Sequence, residues 1–265
     1  EYINTIVPLA DSTDKYIRGF YGDEKNAEII TKKSISWLEQ NKKNHFFLWT
    51  HFTTPHQPYT PSQKYLCKTT SDCENIFYKE ELDYKLFSTY GERPSTQTLE
   101  KSIKLYDAEV LSVDEHVNKI LTIVKRLDLS KKTIVIFYGD HGEGFDHDFY
   151  NHGQSLYNSS LHIPLIIAFP RDISSGKNSY LIDNSSIFPS ILEYLKVGYN
   201  SKEIQTKSFI KNNKLVDPKN KELYSITAQD QSGKYTIFDK KYKYIYSTNH
   251  KFLYHNRTKE FFNTS

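Results

Sequence analysis

Two segments of the chain repeat apolar residues at the spacing of an amphipathic helix. Residues 24–43 follow Asp23, a residue type that often caps helices, and the stretch after Pro94 alternates apolar spacings of three and four. We therefore predict two helices, the second of them long, and a third over residues 184–197 with Pro189 early or at a kink. The apolar stripes comprise Ala27, Ile30, Ser34, Trp37 and Leu38 in the first helix and Leu99, Ile103, Tyr106, Val110, Val113, Val117, Leu121 and Val124 in the second.

Three shorter apolar runs are typical of buried strands. They cover residues 45–52, 133–138 and 164–170, and each is too short for a helix of ordinary length. Unbroken apolar runs of this kind fit a sheet that is covered on both faces. The first run leads into TTPHQPYTP, where three prolines enforce a loop, and residues 67–95 are polar and irregular, which favours a surface excursion.

The pattern changes after about residue 200. Short alternating segments separated by turn residues, ELYSITAQD, GKYTIFD, KYKYIYSTN and KFLYHN, predict a small antiparallel sheet. Strands alternating with helices and then followed by hairpins indicate the α/β class. We predict a three-layer α/β/α sandwich with a mainly parallel sheet over residues 1–200, and a C-terminal antiparallel β subdomain over residues 201–265.

Composition narrows the function classes. The formal net charge of +3 is nearly balanced, which argues against a nucleic-acid partner, and no apolar run approaches the roughly twenty residues of a membrane span. Cys67 and Cys73 are six positions apart, and two readings stay open: a small local disulfide, which would indicate an oxidising compartment, or two free thiols. A zinc site is less favoured, because no further cysteine or nearby histidine completes it.

Titratable residues concentrate directly after the 133–138 run. Residues 138–153, YGDHGEGFDHDFYNHG, contain four carboxylates and three histidines. A solvated polar loop and a site for a metal and an anion both fit this composition. Ligands of open parallel sheets bind beyond the carboxyl ends of the strands. If the 45–52 and 133–138 strands are parallel neighbours, His56 and the Asp140–His141 pair converge on one cleft, and we favour the site.

The residue types suggest individual roles. Asp140 and His141 offer a carboxylate oxygen and an imidazole nitrogen, which is half of a site for a divalent cation. Glu143 is predicted to orient a ligand or a donor rather than to bind the metal itself. His56 and His152 are candidate donors to an anion, a task that histidine performs near neutral pH.

Two further features of the cluster complete this hypothesis. Gly139 and Gly142 flank the Asp140–His141 pair, and they allow a sharp backbone turn without side-chain bulk near a ligand. His147 either joins the other histidines or points to water.

Four linked segments occur in an order known from one enzyme family. HFFLWTHFTTPHQPYTP is similar to a strand ending in Pro-His-x-Pro-Tyr, and LYDAEVLSVDEHVNKIL to the long helix that follows. TIVIFYGDHGEGFDHDFYNHGQSLYNSSLHIPLIIAFP is similar to the family's strand, Asp-His-Gly-Glu turn, His-Gly and Pro-Leu-Ile-Ile order, and KYKYIYSTNHKFLYHNRTKEFFN to its closing hairpins. Over most of residues 24–265, the chain resembles the sulfatase branch of the alkaline-phosphatase superfamily.

The resemblance carries specific expectations. It implies an α/β sandwich with a small C-terminal sheet, and a divalent cation, usually calcium, held partly by the residues matching Asp140 and His141. Residues matching His56 and His152 would contact the sulfate group, and one of them would assist the leaving alkoxide. The substrate would be a small-molecule or saccharide sulfate ester. The resemblance also favours a secreted, periplasmic or lysosomal-type compartment.

The chain departs from the family pattern at its start. The nucleophile motif Cys/Ser-x-Pro-x-Arg, an early aspartate pair and a Lys-x-His segment do not occur in these 265 residues. We expect an upstream segment or a partner chain to supply them, so the activity of this chain alone stays open. One alternative is a phosphonate or phosphodiester hydrolase, or a phosphoethanolamine-type transferase, with manganese or zinc. Another is a non-catalytic, sulfatase-like binding module.

Overall fold

The chain divides into two compact units. The structure is a computed structural model that describes residues 24–76, 94–146, 152, 155–170, 173–227, 233–247 and 259–263. The units are Glu1–Thr133 and Ile134–Ser265. Helices dominate the described part of the first unit, and the described strands lie in the second. This mixed content agrees with the α/β class.

The first unit is built on helices α1 (Glu24–Asn41), α2 (Gln63–Thr69) and α3 (Thr96–Arg126). The predicted stripe of α1 is confirmed, because Ala27, Ile30, Ser34 and Leu38 are all buried. Leu38 joins Val124 and Leu129 in a core cluster to which Trp37, Phe46 and Leu48 add partly buried surface. Asp23, the predicted cap of α1, lies outside the described residues.

Helix α3 confirms the long-helix prediction, but its buried face agrees with the predicted stripe only in part, since Val113 and Val124 are buried. It begins after Ser95, whose hydroxyl accepts a hydrogen bond from the Thr98 amide at 3.1 Å. Val110 and Leu121 of the predicted stripe are 42% and 41% exposed, whereas Glu109 and His116 are almost fully buried. The apolar pattern did not predict the burial of Glu109 and His116, because it takes no account of hydrogen-bond partners on other elements. His116 Nδ1, for example, lies 3.0 Å from the Thr31 hydroxyl.

Residues 45–52 do not form the predicted buried strand. This stretch pairs with no strand among the described residues, and Phe47 and Trp49 are 47% and 54% exposed. Its alternate residues Phe46 and Leu48 pack on the core cluster of α1 and α3. An apolar run predicts burial, but a strand also needs a hydrogen-bonding partner of suitable register.

A disulfide joins Cys67 of helix α2 to Cys73 beyond the end of that helix. The sequence pattern did not predict α2 itself. Cys67 and Cys73 are bonded, with Cα atoms 4.9 Å apart, so the structure contains the first of the two alternatives left open above. The predicted surface excursion at residues 67–95 is only partly visible, since residues 77–93 lie outside the described part of the chain.

In the second unit, β1 (Val135–Tyr138) pairs antiparallel with β2 (Leu165–Ala168). Both strands were predicted, but coverage of both their faces is not confirmed, because Phe137, Tyr138 and Ile166 are 39%, 40% and 64% exposed. All strand pairs among the described residues are antiparallel, so the mainly parallel sheet is not confirmed.

A second core cluster follows β2 along the chain. A short 3-10 helix, Asn184–Ser186, leads into α5 (Ile187–Leu195), with Pro189 near its start as predicted. We number the short helix Asn158–Leu161 as α4. Ile187 of α5 packs with Phe209 and Ile210 beside the small hairpin of β3 (Ile210–Lys211) and β4 (Lys214–Leu215).

The predicted C-terminal sheet is confirmed as four antiparallel strands in the order β5-β6-β7-β8. They are β5 (Leu223–Thr227), β6 (Lys234–Phe238), β7 (Tyr242–Ser247) and β8 (Lys259–Asn263). The predicted KFLYHN segment precedes β8 and lies outside the described residues. The domain boundary near residue 200 stays a prediction. No helix in the described part of the chain is long and apolar enough to span a membrane.

The core cluster of α1 and α3 generates a stability prediction. Replacing Leu38, which is 2% exposed, by alanine removes buried methyl groups and leaves a cavity, so the free energy of unfolding should fall by about 2–5 kcal/mol. Ile29 on the same helix is 48% exposed, and Ile29→Ala should change it by less than about 0.5 kcal/mol. Urea denaturation measures both; equal losses would show that the cluster is not a core.

Candidate active site

The turn that follows β1 folds back against helix α4. The Gly142 amide donates to the Ser160 carbonyl at 2.8 Å, and the Ser159 hydroxyl donates to Asp146 Oδ1 at 2.7 Å. A Cβ atom on Gly142 would lie 1.9 Å from the Ser159 carbonyl oxygen, which no real contact permits. Glycine is therefore required here, because any side chain would prevent the close approach of the two backbones. This contact explains why a glycine stands in the turn.

Asp140 and His141 occupy the outer side of this turn. The His141 amide donates to Asp140 Oδ1 at 2.9 Å, and His141 Nδ1 lies 2.8 Å from the Gly142 carbonyl oxygen. A carbonyl only accepts hydrogen bonds, so Nδ1 carries the proton, and Nε2 is the unprotonated nitrogen of the neutral ring. Asp140 Oδ2 and His141 Nε2 are 3.8 Å apart.

The donor set of this pair suits a divalent cation. Calcium–oxygen bonds measure about 2.3–2.6 Å, so one cation can reach two donor atoms that are 3.8 Å apart. Carboxylate oxygen and imidazole nitrogen are both ordinary ligands of divalent metals. Within the described ranges, no group of three or more His, Cys, Asp or Glu residues is arranged to hold a metal. The pair supplies two candidate donors, and their role as metal ligands stays a prediction.

Glu143 and His152 form a buried pair beside it. His152 Nδ1 lies 3.0 and 3.1 Å from the two carboxylate oxygens of Glu143, and the side chains are only 14% and 5% exposed. The ring of His152 stacks on that of His141, with centroids 4.4 Å apart and planes inclined by 20°. The Glu143 carboxylate holds the His152 ring through Nδ1 and so fixes the orientation of the ring.

The loop that carries His56 lies in the first unit. The His56 amide donates to the Thr53 carbonyl at 2.7 Å, and its Nδ1 lies 2.6 Å from the Gln57 carbonyl oxygen, which again places the proton on Nδ1. Tyr59 is 1% exposed and meets the Tyr106 ring edge-to-face, with centroids 5.6 Å apart. The loop is therefore anchored on helix α3.

Glu109 of α3 is a supporting residue that the sequence analysis missed. Its Oε1 accepts a hydrogen bond of 2.6 Å from the Thr60 amide, and the residue is 1% exposed. This hydrogen bond ties the loop to helix α3. The sequence pattern carried no signal for this role, because Thr60 lies 49 positions away along the chain.

The structure brings together four of the six predicted site residues, Asp140, His141, Glu143 and His152, all in the second unit. His147 lies outside the described residues. His56 belongs to the first unit, so its convergence with Asp140 and His141 stays a prediction.

These features define an α/β protein with an adjacent aspartate and histidine, and a second histidine stacked on the first, near the end of a strand. The family profile described as Sulfatase matches residues 2–197, well over half of the chain. The chain belongs to the sulfatase family.

Curated relatives agree with this assignment. An endo-4-O-sulfatase of Bacteroides thetaiotaomicron is 29% identical over 191 residues, which cover 67% of this chain and 35% of that protein. Arylsulfatase K of Bos taurus is 28% identical over 216 residues, covering 71% and 38% respectively. The chain thus spans little more than a third of the length of these relatives.

Solved structures share the fold. A protein in complex with its substrate D-glucosamine-2-N,6-O-disulfate has a TM-score of 0.70 at 18% identity, covering 93% of this chain and 63% of that chain. A phosphonate monoester hydrolase from Silicibacter pomeroyi has a TM-score of 0.65 at 13% identity, covering 89% and 56%. At these identities the likeness concerns the fold alone.

Replacing Gly142 tests the close approach of the turn to α4. In Gly142→Ala the new methyl group collides with the Ser159 carbonyl, so the backbone must move and the free energy of unfolding should fall by about 1–3 kcal/mol. Gly198 has no atom within 4 Å of an added Cβ, and Gly198→Ala serves as the matched control. Thermal unfolding compares the two, and an unchanged Gly142→Ala variant would contradict the described contact.

Replacing Glu109 tests the anchoring of the His56 loop. Glu109→Leu leaves the Thr60 amide without its carboxylate acceptor and should lower the free energy of unfolding by about 1–3 kcal/mol. Glu100 is an exposed glutamate on the same helix, and Glu100→Leu should have little effect. Denaturant unfolding with exchange of the Thr60 amide measures the result; similar behaviour of the two variants would rule out the anchor.

Proposed function

We propose that the complete protein hydrolyses sulfate esters at a site that contains Asp140, His141, His152 and His56. The observation that carries the proposal is the Asp140–His141 pair, with donor atoms 3.8 Å apart, directly beside the stacked ring of His152. Membership of the sulfatase family and the names of the relatives, endo-4-O-sulfatase and arylsulfatase K, support it.

Asp140 and His141 are the proposed ligands of a divalent cation, calcium by family resemblance. Their donor atoms are near enough to share one ion, and the Gly142 carbonyl fixes the His141 tautomer so that Nε2 can bind it. When bound, the cation supplies positive charge that stabilises developing charge on the sulfate oxygens. The remaining ligands would come from other parts of the complete protein.

His152 and His56 are the proposed contacts to the sulfate group. Each ring is held through Nδ1, His152 by the Glu143 carboxylate and His56 by the Gln57 carbonyl. These bonds fix the orientation of each ring, and we assign Nε2 as the atom that contacts the sulfate group. One of the two would protonate the departing alkoxide oxygen, which is the general-acid step that ester cleavage requires. Glu143 acts through His152 by orienting its ring.

The nucleophile is expected outside these residues. Positioning groups and a cation cannot replace an attacking atom, so an upstream segment or a partner chain has to supply it. We extend the proposal to the architecture of the complete domain, a three-layer α/β/α sandwich with a mainly parallel sheet. The exposed apolar residues Phe137, Tyr138 and Ile166 support it, since further elements would cover them.

A saccharide sulfate ester is the proposed substrate class. One relative is named for removal of a 4-O-sulfate, and one solved structure of the same fold holds a disulfated glucosamine. The second candidate function is hydrolysis of a phosphonate ester with manganese or zinc, favoured by the fold likeness to the phosphonate monoester hydrolase. A non-catalytic binding module with the same cleft is the third alternative.

An assay on the complete protein separates these functions. We expect hydrolysis of an aryl sulfate in the presence of calcium, faster than that of the matching aryl phosphonate. Asp140→Asn should lower kcat/KM on the order of 10²-fold, because a charged ligand of the cation is lost. Asp217, a partly exposed carboxylate that bonds the Lys219 amide, gives the control variant Asp217→Asn.

Three outcomes of this assay would contradict the proposed function or part of it. A preference for the phosphonate would replace the proposed function with the second candidate. Unchanged turnover in Asp140→Asn would remove this residue from the site, and absence of turnover in the complete protein, with sulfate ester still bound, would favour the binding module.

A further inference from the structure

One lysine of the C-terminal sheet is buried, and the proposed function does not use its charge. Lys243 of β7 is 2% exposed, although lysine is among the residues that are almost never fully buried. It lies on the inward face of the sheet with Thr236 and Ile245, which are 3% exposed. No carboxylate pairs with it within the described part of the chain.

The ammonium group makes two hydrogen bonds and one cation–π contact. Lys243 Nζ donates to the Leu156 carbonyl at 3.1 Å and to Asn158 Oδ1 at 2.6 Å. It also lies 4.8 Å from the centroid of the Phe238 ring, a distance typical of a cation–π contact. Burial lowers the pKa of Lys243 to about 8, so the charged form with three donors still predominates at neutral pH.

The two hydrogen-bond acceptors belong to the segment that leads into α4. Asn158 is the first residue of this helix, and its own carbonyl accepts from the His162 amide at 2.8 Å. Ser159 and Ser160, the next two residues, are those that bond to Asp146 and Gly142 of the site turn. Lys243 therefore holds one end of a single helical turn whose other contacts support the site.

The geometry points to Lys243 as a positioning residue of the site: it holds the Leu156–Asn158 segment, and through α4 it fixes the turn that carries Asp140, His141 and Glu143. The C-terminal sheet is then part of the support of the site. The positional effect depends only on contacts within the second unit. Its consequence for catalysis rests on the proposed function above.

The charge and hydrogen-bond donors of Lys243, rather than its bulk, hold the Leu156–Asn158 segment in place. Lys243→Met keeps a side chain of similar length but leaves the Leu156 carbonyl and Asn158 Oδ1 without their donor. Lys243→Arg keeps the charge and donors in a larger group, so it should restore part of the effect. Ile245→Val, two residues on and on the same buried face, perturbs packing without touching Leu156 or Asn158.

Hydrogen–deuterium exchange of the chain is the deciding measurement. In Lys243→Met we expect exchange in the peptides covering residues 139–146 and 155–163 to rise about tenfold, with a smaller rise in Lys243→Arg. Ile245→Val should show no selective rise in these two peptides. The inference is overturned if Lys243→Met raises exchange only in β5–β8, which is the result expected of a weakened sheet. In that case the two site peptides would exchange at the same rate as in Ile245→Val.

A second variant keeps the test decisive if Lys243→Met does not fold. Asn158→Ala removes one acceptor at an exposed position and should raise exchange in the same two peptides. Adding Lys243→Arg to it should raise exchange less than Lys243→Arg does alone, because the Asn158 contact is already lost. Unchanged exchange in Asn158→Ala would count against the link between Lys243 and the turn.

Kinetics of the complete protein separates this inference from the proposed function. If both hold, Lys243→Met lowers kcat with KM nearly unchanged, Lys243→Arg recovers part of it, and Ile245→Val resembles the unmodified protein. If exchange responds as expected but no sulfate ester is hydrolysed, the proposed function fails and the positioning role stands. If turnover is normal in Lys243→Met and exchange is unaffected, the positioning role fails alone.

Discussion

The site depends on the contact between two stretches of backbone, the turn at Gly142 and the helical turn α4. The Gly142 amide reaches the Ser160 carbonyl at 2.8 Å, and the space between them admits no Cβ atom. This contact fixes the path of the chain from β1 through Asp140 and His141 to Glu143. The carboxylate of Glu143 then orients His152. The backbone contact at Gly142 therefore determines the positions of the His141 and His152 rings.

Two buried charged side chains of opposite sign support the loops that carry candidate chemistry. Glu109 on α3 accepts the Thr60 amide beside the His56 loop, and Lys243 on β7 donates to the chain ahead of α4. In each case a charged group on a regular element bonds the backbone of an irregular one, and such bonds are stronger than those between neutral groups. Loops with functional side chains need support of this kind, because they lack the repeating hydrogen bonds of helices and strands.

The sequence pattern predicted those elements that are determined by residues close together in the chain. The stripe of Ala27, Ile30 and Leu38 identified α1, and the alternating segments after residue 200 identified the C-terminal sheet. The Asp140–His141 pair stood out because glycines flank it after an apolar strand. The buried roles of Glu109 and Lys243 could not be predicted, since their partners lie 49 and 85–87 positions away in sequence. The 45–52 run was misread for a similar reason: an apolar pattern predicts burial, whereas a strand requires a distant partner.

The central proposal is that Asp140 and His141, as cation ligands, share one sulfate-ester site with His56. Paramagnetic relaxation by manganese, bound in place of the expected calcium in the complete protein, tests it most directly. The account predicts strong broadening of the ring signals of His141, His152 and His56, and loss of that broadening in Asp140→Asn. Broadening of His141 and His152 with sharp His56 signals would contradict it, because the two loops would then not share a site.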